Sequence, residues 1–105
     1  MKPDGNQSHI ISALRAAGAT VTILAGVGKG CPDLLVGYQA TNLLMEVKNL
    51  EGRGDRMTAA EIAWIEAWRG QVAIVHDVDE SLRVLYGSIE LTGQEIIPVR
   101  GRGGQ

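Results

Sequence analysis

The chain contains no phenylalanine, and its aromatic content is two tryptophans and two tyrosines. A core must therefore come from Ile, Leu, Val and Ala, and the 45% hydrophobic content is that of a globular chain. The one cysteine, Cys31, excludes an internal disulfide and agrees with a reducing compartment. No apolar run approaches the roughly 20 residues that a helical membrane span needs. The polar start Met1-Lys2-Pro3-Asp4-Gly5 lacks the apolar stretch of a secretion signal. These absences point to a cytoplasmic protein without a membrane partner. An excess of positive charge is missing too: the formal net charge is −2, whereas phosphate contacts usually come from a basic surface. The balance is uneven along the chain. Residues 1–60 carry six Lys/Arg against five Asp/Glu, and residues 61–105 carry four against seven.

A length of 105 residues fits one compact domain over 1–105, with flexible tails expected at 1–5 and 99–105. Over residues 6–17, Ile10, Ile11 and Leu14 share one helical stripe that Gly18 ends. Gln7 lies on that stripe, so an inward glutamine there requires polar surroundings. Thr20 to Leu24 alternates and reads as a strand. A glycine-rich loop over Ala25 to Cys31 leads to a second strand, Asp33 to Tyr38. Gln39 to Asn42 is a turn, and Leu43 to Lys48 a third strand, antiparallel to the second because the connection is short. A charged loop over 49–57 precedes a helix from about Thr58 to Arg69, with Thr58 and Glu61 as its capping box and Gly70 as its stop. Val72 to Val75 is a fourth strand, which the intervening helix makes parallel to a neighbour. Asp79 caps a short helix ending near Tyr86-Gly87. Ile89–Leu91 and Glu95–Ile97 read as a small hairpin. The expected fold class is α/β: a mixed sheet flanked by helices, in the order α-β-β-β-α-β-α.

The feature that carries chemistry is Pro32-Asp33, followed after twelve residues by Glu46-Val47-Lys48. In a strand, residues i and i+2 share a face. Glu46 and Lys48 therefore point one way and Val47 the other. Two acids and a lysine on neighbouring strands are costly to bury without partners. A divalent cation resolves the cost, since hard oxygens from Asp33 and Glu46 suit Mg²⁺ or Mn²⁺. The Val47 carbonyl is a further ligand candidate. Lys48 stands where it can orient a water or stabilise charge on a phosphate. A bland alternative has Asp33 capping a turn and Glu46–Lys48 as a solvated pair on an edge strand. It leaves unexplained why charges end an otherwise apolar strand.

Other signals are weaker. The loop Gly26-Val27-Gly28-Lys29-Gly30 leads into a strand and not a helix, so neither nucleotide-binding fingerprint applies and no nucleotide cofactor is expected. Lys29 in that loop, with Arg53 and Arg56 after the third strand, are candidate DNA-backbone contacts. Glu51 and Asp55 partly cancel the arginines. Trp64 and Trp68, four apart on one helix, read as core or dimer packing. His9 faces away from Gln7, and Cys31 reads as a small packing residue.

Asp33, Glu46 and Lys48 in this context resemble the PD-(D/E)XK nuclease superfamily. Further stretches are similar to the stand-alone VRR-NUC-type nucleases of phages and bacteria. They are Ala13-Leu14-Arg15, Gly18-Ala19, Val27 through Gly37, Leu44 through Lys48, Met57-Thr58 through Gly70, and Asp79-Glu80-Ser81-Leu82. The match covers about residues 6–87, and archaeal-type Holliday junction resolvases share the same core order. The resemblance implies a restriction-endonuclease-like core and a Mg²⁺- or Mn²⁺-dependent endodeoxyribonuclease. Nicking and structure-selective cutting of branched, junction or flap DNA are its expected activities. It implies that Asp33 and Glu46 bind metal and that Lys48 positions or helps deprotonate the attacking water. In-line attack would leave a 5′-phosphate and a 3′-hydroxyl. Gln7 stands where the resolvases carry an acid, and would hold a metal-bound water. Several relatives carry a glutamine early in the second helix, where this chain has Glu61-Ile62. The expected partners are DNA and a second copy of the chain, because so small a domain cannot surround a duplex. Two other readings compete. One is a non-catalytic nucleic-acid-binding module on the same fold. The other is an oligomerisation domain built on Trp64 and Trp68.

Overall fold

Alternation in Thr20-Val21-Thr22-Ile23 places Val21 inward and its neighbours outward, and this segment forms strand β1 (Thr20–Ile23). The computed structural model describes residues 5–49 and 56–90. Helix α1 (Gly5–Ala16) precedes β1 and buries Ile10, Ile11 and Leu14. Strands β2 (Leu34–Tyr38) and β3 (Thr41–Val47), helix α2 (Ala59–Ala67), strand β4 (Val72–Val75) and helix α3 (Val78–Glu90) follow. The four strands form one mixed sheet in the order β1-β2-β3-β4. β1 and β3 both run antiparallel to β2, while β4 is parallel to β3. The expected α/β class and element order hold.

Alternation along β3 sorts the protein into layers. Leu43, Met45 and Val47 join Ile10, Leu14, Val36, Val75 and Leu85 in one buried cluster under α1 and α3. Leu44 faces the other way and packs with Ile65 and Val72, flanked by Leu24, Met57 and Trp64. Each fully buried aliphatic chain of this kind contributes about 1.5–3 kcal/mol. One sheet face is thus sealed by two helices. The other is covered by the shorter α2 alone, and Glu46, next to Val47 in the pleat, belongs to that second face.

The structure corrects several boundaries. The turn between β2 and β3 is two residues long, Gln39 and Ala40, with φ of 50° and 65°. Tyr38 already pairs with Thr41. This is the twist-matched hairpin geometry, but without the glycine or asparagine that usually marks it. α2 ends at Ala67 because Trp68 turns to an extended conformation, and its indole N–H donates to the Gln71 carbonyl at 3.2 Å. Asp77, and not Asp79, caps α3: its Oδ1 accepts from the Glu80 amide at 2.8 Å. α3 also runs through Ile89 and Glu90, which excludes a strand there. Its inward serines suit a helix, since the Ser81 and Ser88 hydroxyls donate back to the Val78 and Leu85 carbonyls. Leu91, Glu95–Ile97 and the 99–105 tail lie outside the described residues, as do residues 1–4.

The glycine-rich loop has a packing role. Gly28, Lys29 and Gly30 all have positive φ. A Cβ on Gly30 would collide with the Ala60 carbonyl in the first turn of α2. The loop and the start of α2 therefore touch backbone to backbone. Gly30→Ala combines left-handed strain with overpacking, and should cost roughly 2–4 kcal/mol. A urea titration checks this; a midpoint equal to that of the unsubstituted protein would refute the contact.

Candidate active site

Strand pairing brings Asp33 and Glu46 together. Leu34 pairs with Met45 across the β2–β3 ladder, so the preceding Asp33 lies beside the following Glu46. The Asp33 backbone carbonyl accepts from the Leu24 amide at 2.7 Å, and its Oδ2 accepts from the Val47 amide at 2.8 Å. Asp33 therefore closes the ends of β1 and β3 while standing at the site. Glu46 is 2% exposed, and β3 has a strand on each side. The solvated edge pair is excluded by both facts.

Lys48 follows β3, and its amide donates to the Val75 carbonyl at 2.9 Å. Its ammonium lies 3.4 Å from Glu46 Oε2 and 2.8 Å from Glu61 Oε1. Glu61 arrives from the first turn of α2. Its Oε1 also accepts from the Thr58 amide at 2.9 Å, and Thr58 Oγ1 accepts from the Glu61 amide at 3.1 Å. The expected capping box is present, and the same carboxylate meets the lysine. Sequence reasoning identified the box but not this contact, which joins residues 13 apart across a loop.

The electrostatics follow from the crowding of three acids around one base. Burial pushes the Glu46 carboxyl up to about 8, helped by the charges of Asp33 and Glu61 and by a hydrogen bond to Glu61, with Lys48 opposing. Burial acts to lower Lys48, but the Glu61 hydrogen bond and the Glu46 charge outweigh it, so the ammonium is held charged. Burial acts to raise Glu61, yet the Lys48 and Thr58 hydrogen bonds bring it below its ordinary value. Burial, with the charges of Glu46 and Asp33, raises the Cys31 thiol above its ordinary value.

The remaining sequence candidates are more scattered. Gln7 is half-buried in the first turn of α1. The first-helix side chain tied to the strand ends is its neighbour Asn6, whose amide donates to the His76 carbonyl at 2.9 Å and the Lys48 carbonyl at 3.4 Å. A polar residue ahead of the apolar stripe was the only signal for it. Lys29 and Arg56 are exposed, and Arg53 lies outside the described residues. His9 is exposed, as expected. His76 pairs with Glu80, Nδ1 to Oε1 at 2.9 Å. The Trp64 and Trp68 rings stack with centroids 4.7 Å apart, Trp64 against the second cluster and Trp68 41% exposed. They wall an open apolar groove of about 510 Å³ with Leu24, Cys31, Leu35 and Leu44.

No protein-family model and no curated protein matches the chain. A solved structure described as a VRR_NUC domain superposes on it with a TM-score of 0.62 and 22% sequence identity. The match covers 78% of this chain and 91% of that one. At this identity the likeness is one of fold. No described helix is long and apolar enough to cross a membrane.

The raised Glu46 carboxyl fixes a pH dependence. Between its ordinary value of 4.5 and about 8, the folded protein holds a proton that the unfolded chain has released. Stability of the metal-free protein therefore falls as pH rises through that window. Glu61, lowered, acts only on the acid side of the window, and Lys48, raised, only on the alkaline side. Thermal melts in chelator should show Tm dropping from pH 5 to pH 8, and Glu46→Gln should flatten the slope. A Tm that climbs across this range in the unsubstituted protein would contradict the assignment.

Proposed function

We propose that the protein is a metal-dependent DNA endonuclease of the PD-(D/E)XK type, with Asp33, Glu46 and Lys48 as its centre. The observation that carries this reading is Glu46: a carboxyl buried on a central strand, crowded by Asp33 and Glu61, with a charged lysine beside it. The donor set fits a hard divalent cation. Asp33 and Glu46 offer carboxylate oxygens and Val47 a carbonyl. No cluster of three or more His, Cys, Asp or Glu ligands forms among the described residues. Mg²⁺, which keeps several waters when bound, suits so sparse a set, and Mn²⁺ is the other candidate. Such an ion supplies Lewis acidity toward a phosphate oxygen and lowers the pKa of a bound water.

The chain's own groups do the rest. Lys48, held protonated by its two acids, serves as a cationic donor to the phosphate and orients the attacking water. In-line attack leaves a 5′-phosphate and a 3′-hydroxyl. Gln7 assists by holding a water near the ion. Lys29, Arg53 and Arg56 contact the DNA backbone and offset the net charge of −2. Branched, junction or flap DNA is the proposed substrate, cut in the cytoplasm of a bacterial or phage-infected cell. The proposed partner is a second copy, whose site faces the other strand of the duplex.

Incubation with supercoiled plasmid and with branched DNA tests the chemistry. In Mg²⁺ or Mn²⁺ the unsubstituted protein should cut, and Lys48→Ala and Asp33→Asn should each lose on the order of 100-fold or more in rate. Equal cutting by all three proteins sinks the nuclease reading; binding without cutting in any metal favours a non-catalytic binding module. Sedimentation tests the second copy. The protein should run as a dimer at the concentrations at which it cuts, and a monomer mass there would reject the pair.

A further inference from the structure

We infer that Glu61 is a positioning residue for Lys48, and that one carboxylate oxygen both caps α2 and aims the ammonium. The inference rests on the nuclease reading for its kinetic consequence, but its structural half stands on geometry alone.

Glu61 Oε1 accepts two hydrogen bonds, from the Thr58 amide at 2.9 Å and from the Lys48 ammonium at 2.8 Å. The first fixes the carboxylate relative to the helix, because it closes the capping box. The second transfers that fixed position to the lysine. A lysine side chain has four rotatable bonds, and their rotamer freedom is lost when the ammonium is held. Glu46 alone holds the ammonium more loosely, at 3.4 Å. The shorter, charge-assisted bond to Glu61 is the one that selects the rotamer. The loop reinforces it, since Gly30 abuts Ala60 and so limits how far the first turn of α2 can shift. Neither carboxylate would need to touch DNA for this to work. Glu61 acts through Lys48.

Two measurements separate this from a merely structural cap. The first needs no activity. In metal-free protein with ¹⁵N-labelled lysine, the Lys48 Nζ–H signal, identified by its loss in Lys48→Arg, should be visible because hydrogen bonding slows its exchange. It should persist in Thr58→Ala and vanish in Glu61→Ala. The second is kinetic. Thr58→Ala, which removes only the cap hydroxyl, should lower Tm by about 4–8 °C and leave kcat unchanged. Glu61→Ala should lower kcat on the order of 10–100-fold with KM for DNA unchanged. Glu61→Gln, which keeps an acceptor oxygen, should recover part of that loss. On a Lys48→Ala background, Glu61→Ala should cost no further rate. A Lys48 signal that survives Glu61→Ala overturns the contact. An equal rate loss from Glu61→Ala with and without Lys48 overturns the positioning role. If the unsubstituted protein cuts no DNA in any metal, the nuclease reading falls, and the lysine signal still decides whether Glu61 holds Lys48.

Discussion

The carboxyl group of Glu46 sits in the middle of a sheet, where an unpaired charge is expensive, and much of the surrounding structure is arranged about that cost. A strand that offers Leu44 and Glu46 to the same layer must find apolar cover for one and polar company for the other. α2 does both. Ile65 and Trp64 cover Leu44, while Glu61, a turn earlier, joins Lys48 beside Glu46. The pattern requires the helix to be placed accurately along the sheet, and that is what the tight approach of Gly30 to Ala60 supplies. Asp33 contributes from the other side, holding β1 and β3 with its backbone and side chain.

Much of this was legible in the residues. Period-two alternation put Glu46 and Lys48 on one face and Val47 on the other, and the structure keeps that division. A short connection made β2 and β3 antiparallel, which is what sets Asp33 beside Glu46. The Thr58/Glu61 spacing gave the start of α2. What stayed hidden depends on distance through space. Nothing local says that a helix-capping glutamate will meet a lysine 13 residues earlier, or that Asn6 will reach the carbonyls of Lys48 and His76. The end of α3 differs for a local reason: Gly87 reads as a stop, yet the helix continues through it to Glu90. Asp79 reads as the cap of this helix, but the Glu80 amide donates to Asp77, and Asp79 lies already within the first turn.

The two faces of the sheet divide the work. The face under α1 and α3 holds the larger core cluster. The face under α2 carries all the site's acids and its lysine, along with a smaller apolar cluster and an open groove. The larger apolar core and the acid–lysine cluster thereby lie in different layers of one small domain.

The hairpin at the far end of β2 and β3 has a consequence of its own. Gln39 and Ala40 occupy left-handed backbone without the residues that adopt it at low cost. The strain, of order 1–2 kcal/mol for each position, is compensated by the strands on either side. It lies at the opposite end of β3 from Glu46, so relieving it leaves the acids and lysine where they are. In evolutionary terms the tip is a reserve. A lineage that acquired glycine or asparagine there would gain a margin of stability with which to tolerate costly changes around the site, and so could alter its chemistry without first losing its fold.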